Sequence, residues 1–295
     1  MKTIFSYSNM LILSALLFAG CEKMAVDDIS DSPDSDKPTV VLRFAPYDIG
    51  SFPSTRAVSA LSDCATRLSV AVFDSDGNKL KTISQRDGDT GFGTVGLSLP
   101  AGDYCLVAIA HNGSGTATIS SADKVTFTSN KVTDTFYYYG SLTVADTDAE
   151  PLPRDLHLQR CVAMVRFVFT DATLPTALSR MKIYYTGGSS TFSPSTGFGC
   201  VNSRQTEYRT LEGSQRTMDI FTMPHEQSDQ LKIVVSALDD DDQVLMERTF
   251  ETVPVVMNQI TTYTGQFFGD GGTAGSTQFT ISVDSQWDAV TDHTF

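Results

Sequence analysis

The sequence predicts an all-β protein built as two β-sandwiches in tandem. Short apolar runs alternate with polar turns along most of the chain, and almost no segment has helical spacing. A hydrophobic strand enters an acidic turn and leaves as a strand twice, at Val72-Phe-Asp-Ser-Asp-Gly-Asn-Lys-Leu80 and at Ala237-Leu-Asp-Asp-Asp-Asp-Gln-Val-Leu245. These read as the same turn in two related domains. A polar stretch at 145–153 separates the halves. The expected sandwiches are therefore 38–150 and 151–295, the second carrying a C-terminal strand within 277–295.

The elements follow in order. Residues 39–45 alternate, with Val40, Leu42 and Phe44 on one side. Residues 68–73 and 79–83 flank the turn Asp74–Asn78 as a hairpin. Val95 and Leu97 precede a strand at 104–110 that is apolar enough to be buried on both faces, and 125–128 and 136–140 come next. The second half opens on 156–169, one long strand-like run, and continues through 178–185, 218–223, 231–238 and 244–250. The short piece 174–178 alone has some helical character. Near the end, Gly269-Asp-Gly-Gly-Thr-Ala-Gly-Ser276 is a flexible linker. It leads to a run that puts Phe279, Ile281 and Val283 on one face, before the single tryptophan, Trp287.

The N-terminal end has a different character. A basic start is followed by a ten-residue apolar run, 10–19, too short to cross a bilayer as a helix. It reads as a secretory signal over residues 1–20. The small pair Ala19-Gly20 directly before Cys21 resembles the lipobox of bacterial lipoproteins, with Phe18 where leucine is usual. That resemblance implies cleavage before Cys21 and acylation of its thiol. Residues 21–37 are acidic and rich in Ser, Asp and Pro, a tether reaching roughly 50 Å when extended. Acidic residues here, Asp27 and Asp28 among them, resemble a surface-export signal of Bacteroidetes lipoproteins.

Composition narrows the function classes. The 295-residue chain is 41% hydrophobic, which supports packed cores rather than disorder. Its net charge of -14, with no Lys/Arg cluster, argues against nucleic-acid partners. Beyond Cys21 there are four cysteines, Cys64, Cys105, Cys161 and Cys200, without a Cys-x-x-Cys pair. This argues against zinc and thioredoxin chemistry. Export permits disulfides, but four cysteines allow three pairings, and Cys105 and Cys161 also fit as small buried hydrophobes.

Catalytic patterns are missing. Asp74-x-Asp76-x-Asn78 resembles the start of a calcium loop, but Gln85 stands where the closing glutamate belongs. That turn and Asp239–Asp242 read as hairpin turns. His111, His157, His225 and His293 have no metalloprotease spacing, and no Gly-x-Ser-x-Gly elbow occurs. No cofactor, resident metal or enzymatic activity is expected.

Several segments together resemble the fimbrillin and fimbrial-anchor lipoproteins of Bacteroidales, including FimB-type anchors. They are Gly20-Cys21 with the acidic tether, Thr55-Arg56-Ala57, Val72-Phe-Asp-Ser-Asp-Gly77, Leu99-Pro-Ala-Gly-Asp-Tyr104, Leu158-Gln-Arg160-Cys-Val-Ala163, Val253–Gly265 and Phe279–Trp287. The likeness spans nearly the whole mature chain and lies in pattern more than in one sharp motif. It implies two transthyretin-like, Greek-key sandwiches. It also implies a structural role in a cell-surface fimbria that contributes to adhesion, with other fimbrial subunits as partners and the outer membrane reached through lipid. Polymerising subunits are cut at an arginine after the first strand, here Arg56, and a neighbour's donor strand fills the groove left behind. Anchors stay uncut and keep the lipid. Arg56 fits a subunit and Cys21 an anchor, with the balance slightly toward an anchor or accessory subunit. The donor strand would be the one bearing Phe279, Ile281 and Val283. A reading from another class is a surface glycan-binding lipoprotein that uses Tyr137–Tyr139 or Trp287 as stacking platforms.

Overall fold

The structure is a computed structural model and describes residues 38–46, 60–146, 150, 153–211, 215–269 and 279–284. In chain order the first nine strands are β1 (Val40–Pro46), β2 (Arg67–Phe73), β3 (Lys79–Arg86), β4 (Thr94–Leu97), β5 (Gly102–His111), β6 (Thr118–Ser121), β7 (Lys124–Thr126), β8 (Thr135–Val144) and β9 (Arg154–Arg160). Seven of them form one sheet in the order β3-β2-β5-β8-β9-β1-β4. Strand β9 turns its corner. It runs parallel to β1 from Leu42↔Arg154 to Pro46↔Leu158, yet meets β8 only at Phe136↔Arg160 and Tyr137↔Gln159. The sheet thus folds over a core in which Val40, Leu42 and Phe44 pack with Leu68, Val70, Leu106 and Phe136.

The remaining strands are β10 (Ala163–Phe169), β11 (Arg180–Ser189), β12 (Thr191–Ser193), β13 (Phe198–Gly199), β14 (Asn202–Arg209), β15 (Thr217–Thr222), β16 (Ser228–Leu238), β17 (Val244–Val256), β18 (Ile260–Gly265) and β19 (Thr280–Asp284). They build two four-stranded sheets, β15-β10-β18-β19 and β14-β11-β16-β17. Period-two alternation aims Val165, Phe167, Ile183, Ile233 and Val235 into one core between the sheets.

The two sandwiches share one plan. In the first, β1 is antiparallel to β4 and parallel to β9, while β3, β2, β5 and β8 pair antiparallel in that order. In the second, β10 is antiparallel to β15 and parallel to β18, while β14, β11, β16 and β17 pair antiparallel in that order. Each half adds one hairpin, β6–β7 or β12–β13, and the two hairpins join through β7 and β12 into a shared sheet. That sheet helps cover the outer face of β2 and β5, where Phe73, Val107 and Ile109 pack with Phe127, Phe192 and Met223. Burial on both faces explains why 104–110 reads as an unbroken apolar run.

Three expectations change. The run 156–169 is two strands, β9 and β10, broken at Cys161-Val162. Residues 174–178 form a turn, with Leu178 N–H donating to the Pro175 carbonyl, and the described residues contain no α-helix beyond two single 3-10 turns, Leu61–Asp63 and Thr128–Asn130. The acidic turns are both hairpin turns, but they do not occupy equivalent places. Asp74–Asn78 joins β2 to β3, whereas Asp239–Gln243 joins β16 to β17, whose counterparts are β5 and β8.

Their resemblance is local chemistry. Asp74 Oδ1 accepts from the N–H groups of Asp76 and Asn78 at 3.0 and 2.8 Å, and Asp239 Oδ1 accepts from Asp241 and Gln243 at the same distances. This is an Asx turn, which any hairpin of that length can use. Gly77 and Asp242 take the left-handed position, at φ +82° and +63°.

Candidate functional site

The fold gives the two ends of the described chain opposite settings. Strand β1 sits inside its sheet, with β4 on one edge and β9 on the other. Thr39 fixes its entry: its hydroxyl accepts from Leu99 N–H at 2.8 Å, and its own N–H donates to the Leu97 carbonyl at 2.8 Å. At its far end, Phe44 N–H donates to the Gly93 carbonyl at 2.8 Å. Gly93 has φ +86°, and a Cβ there would lie 3.3 Å from Leu61 Cβ, so glycine lets the chain pass under the buried Leu61. On the solvent face Arg43 forks onto Asp155 of β9 at 2.7 and 3.1 Å. Val40, Leu42 and Phe44 are all buried. At about 1.5–3 kcal/mol each they contribute about 4.5–9 kcal/mol. Leaving this slot would expose an apolar trough with two unpaired strand edges.

Strand β19 is an edge strand. Among the described residues its one neighbour in the sheet is β18, antiparallel from Thr264↔Thr280 to Ile260↔Asp284. Phe279 is half-buried and meets the Phe250 ring edge-on at 5.2 Å. Ile281 is 52% exposed. For Val283 the backbone register alone is described, opposite Thr261. The chain leaving β18 is pinned by Asp171, whose carboxylate accepts from the N–H groups of Phe267, Phe268 and Gly269 at 2.7, 2.8 and 3.2 Å. No motif marks Asp171; it is an acidic residue two positions past a strand.

The seam between the halves is held by charge as well as packing. Arg160, at the end of β9, binds Asp134 through two bonds at 2.7 and 3.1 Å and donates to Asn258 Oδ1 at 3.0 Å. It also lies over the Phe136 ring, 4.6 Å from its centroid.

His111, Cys64 and Cys161 sit in packed settings. His111, at the end of β5, is buried; its Nδ1 accepts from Gly113 N–H at 2.9 Å. Burial and, secondarily, Arg67 push its pKa down to about 4. Burial raises the Cys64 thiol to about 11 and holds Cys161 well above the ordinary thiol range. Cys64, Cys105, Cys161 and Cys200 are all free thiols. Gln85 ties β3 to the loop before β4, accepting from Gly93 N–H and donating to the Thr94 carbonyl. Among the described residues no cluster of three His, Cys, Asp or Glu is placed to hold a metal. Cys21, Asp27, Asp28, Arg56, Trp287 and His293 lie outside the described residues.

Comparison with known proteins places this architecture. The sequence profile of the fimbrillin-A associated anchor proteins Mfa1 and Mfa2 matches residues 33–293. The chain belongs to that family. Two solved structures share the fold of this anchor-family member. A candidate adhesin from Bacteroides ovatus superposes with a TM-score of 0.53 at 12% identity, over 84% of this chain and 93% of that one. A candidate polysaccharide-binding protein from Bacteroides thetaiotaomicron gives 0.52 at 13% identity, over 83% and 95%. The fimbrial anchor Mfa2 of Porphyromonas gingivalis is similar at 13% identity over 84% and 97%, with a TM-score of 0.42. No curated protein sequence matches the chain.

Proposed function

We propose that this chain is the lipid-tethered anchor of a cell-surface fimbria, a structural and adhesive component rather than an enzyme. The observation that carries the reading is the match to an anchor family across 33–293, in a chain whose first strand is buried and paired on both edges. An anchor must stay covalently continuous from membrane to filament, and the cut that would break it falls after β1, at Arg56. In this reading residues 1–20 are removed as a signal and Cys21 carries the acyl chains. Two chains hold far better than one, at about 0.8 kcal/mol per buried methylene. Residues 21–37 then span from the outer membrane to β1, and Arg56 is left uncut.

The partners are other fimbrial subunits, met by strand addition. The segment with Phe279, Ile281 and Val283 is assigned to that contact because one neighbouring strand and one half-buried ring hold it. No cofactor, resident metal or nucleic acid takes part; the charge of -14 repels the last. The division into two sandwiches is kept, and the pairing of β9 with β1 supports a seam at Cys161-Val162 in place of 150/151.

Mass spectrometry of the protein taken from the cell surface tests the reading. Acylated Cys21 at the N-terminus is expected. An N-terminus at Ala57 would overturn it and make the chain a processed building block.

A further inference from the structure

One groove belongs to neither sandwich alone. It runs between the β8–β9 corner of the first half and the turn joining β12 to β13 in the second, with a volume of about 210 Å³. That is roughly seven times the liquid volume of one water, enough for a sugar ring and too little to enclose a long ligand. Tyr137, Tyr139 and Gln159 face Ser195, Thr196 and Gly197 across it.

We propose that this groove binds a neutral carbohydrate. A sugar ring offers apolar C–H faces and hydroxyl edges, and it is met by tyrosine rings beside hydroxyl and amide groups. Tyr139 is 43% exposed, so part of its ring is open at the groove. No Asp, Glu, Lys or Arg lines the groove, on a protein of net charge -14. His157 also lines the groove and the Asp123 carboxylate bonds Ser195 in its wall, so charge there is sparse, and an anionic ligand would be repelled by the molecule as a whole.

The walls are also preorganised. Tyr137 is held by the Phe192 ring, edge-on at 4.8 Å. Gly197 has φ +78°, and a Cβ on it would stand 2.6 Å from the Tyr137 hydroxyl, so glycine there leaves that hydroxyl its place. Ser195 is hydrogen-bonded to Asp123, at the β6–β7 turn. The shared sheet thus fixes one wall against the other, as a specific site requires.

The proposal is independent of anchoring, since a processed subunit would carry the same groove. The test is a glycan array of neutral and anionic oligosaccharides, probed with the full chain, with Tyr139→Ala and with Thr196→Trp. The last adds bulk to an exposed turn and fills the groove. Retention of neutral glycans is expected, falling at least tenfold in both variants while their thermal unfolding stays that of the parent. Retention of no glycan, of anionic glycans alone, or of neutral glycans equally by all three proteins overturns the proposal.

Discussion

The two halves repeat seven strands in the same order and pairing, yet they finish differently. In the first, the closing strand β9 crosses to meet β8, and the entering strand β1 is enclosed on both edges. In the second, β17 and β18 share no ladder, and the edge of β18 is taken by β19, a strand that arrives from beyond the repeat. The same plan therefore holds one chain end in the middle of a sheet and the other at its rim. Position in the sheet, more than sequence pattern, sets how firmly a strand is held: residues 39–45 and 277–283 alternate equally well.

Deletion should separate the two most widely. A chain beginning at residue 60 loses Val40, Leu42 and Phe44, about 4.5–9 kcal/mol. That is comparable to the whole stability of a domain, so urea unfolding should show the first half already open. Of the described residues, a chain ending at residue 269 loses one edge strand and the half-buried Phe279 ring, whose burial contributes about 1–2 kcal/mol. Equal losses would break the contrast.

The seam gives the next effect. Arg160 and its partner Asp134 are 15% and 18% exposed, so Arg160→Ala leaves a largely buried carboxylate alone and should cost about 3–5 kcal/mol. Arg166 and Asp219 in the second half are 36% and 30% exposed, and Arg166→Ala should cost about 1 kcal/mol. Chemical denaturation of both variants measures the difference.

A pH titration sharpens the comparison further. His111 closes β5, while the counterpart strand β16 ends in Leu238. The folded pKa of about 4 lies below the ordinary 6.5, so unfolding takes up a proton between those values. Stability should be full above pH 6.5 and fall by about 3 kcal/mol as pH drops to 4. His111→Leu, the second half's own solution, should remove that slope. Smallest is the turn. Nothing lies within 4 Å of a Cβ placed on Gly77, so Gly77→Ala should cost about 1 kcal/mol through backbone strain alone. Thermal unfolding would register it as a shift of a few degrees.

Much of this was legible in the sequence. Alternation located β1, apolar runs located β2, β8 and β16, and the acidic turns read as hairpin turns. The break at Cys161-Val162 was not visible, because both residues are buried and neither Gly nor Pro marks the corner. The two acidic turns suggested equivalence because an Asx turn looks the same in any hairpin, whereas the true repeat lies in pairing partners that are far apart in sequence. Of the proposed groove, the sequence offers Tyr137–Tyr139 as a stacking platform. Ser195, Thr196 and Gly197 carry no signal until the second half's hairpin is brought beside them. Asp171 had none, since three backbone N–H groups 96 to 98 residues away define its role.

The shared sheet has a mechanical consequence. Thr191↔Thr126 and Phe192↔Val125 are ladder pairs between the two halves, and Phe192 and Met223 lie in the core beneath them. Bending at the seam would have to open that ladder and wet that core. A sideways pull across the seam is therefore resisted by the two halves as a single lever.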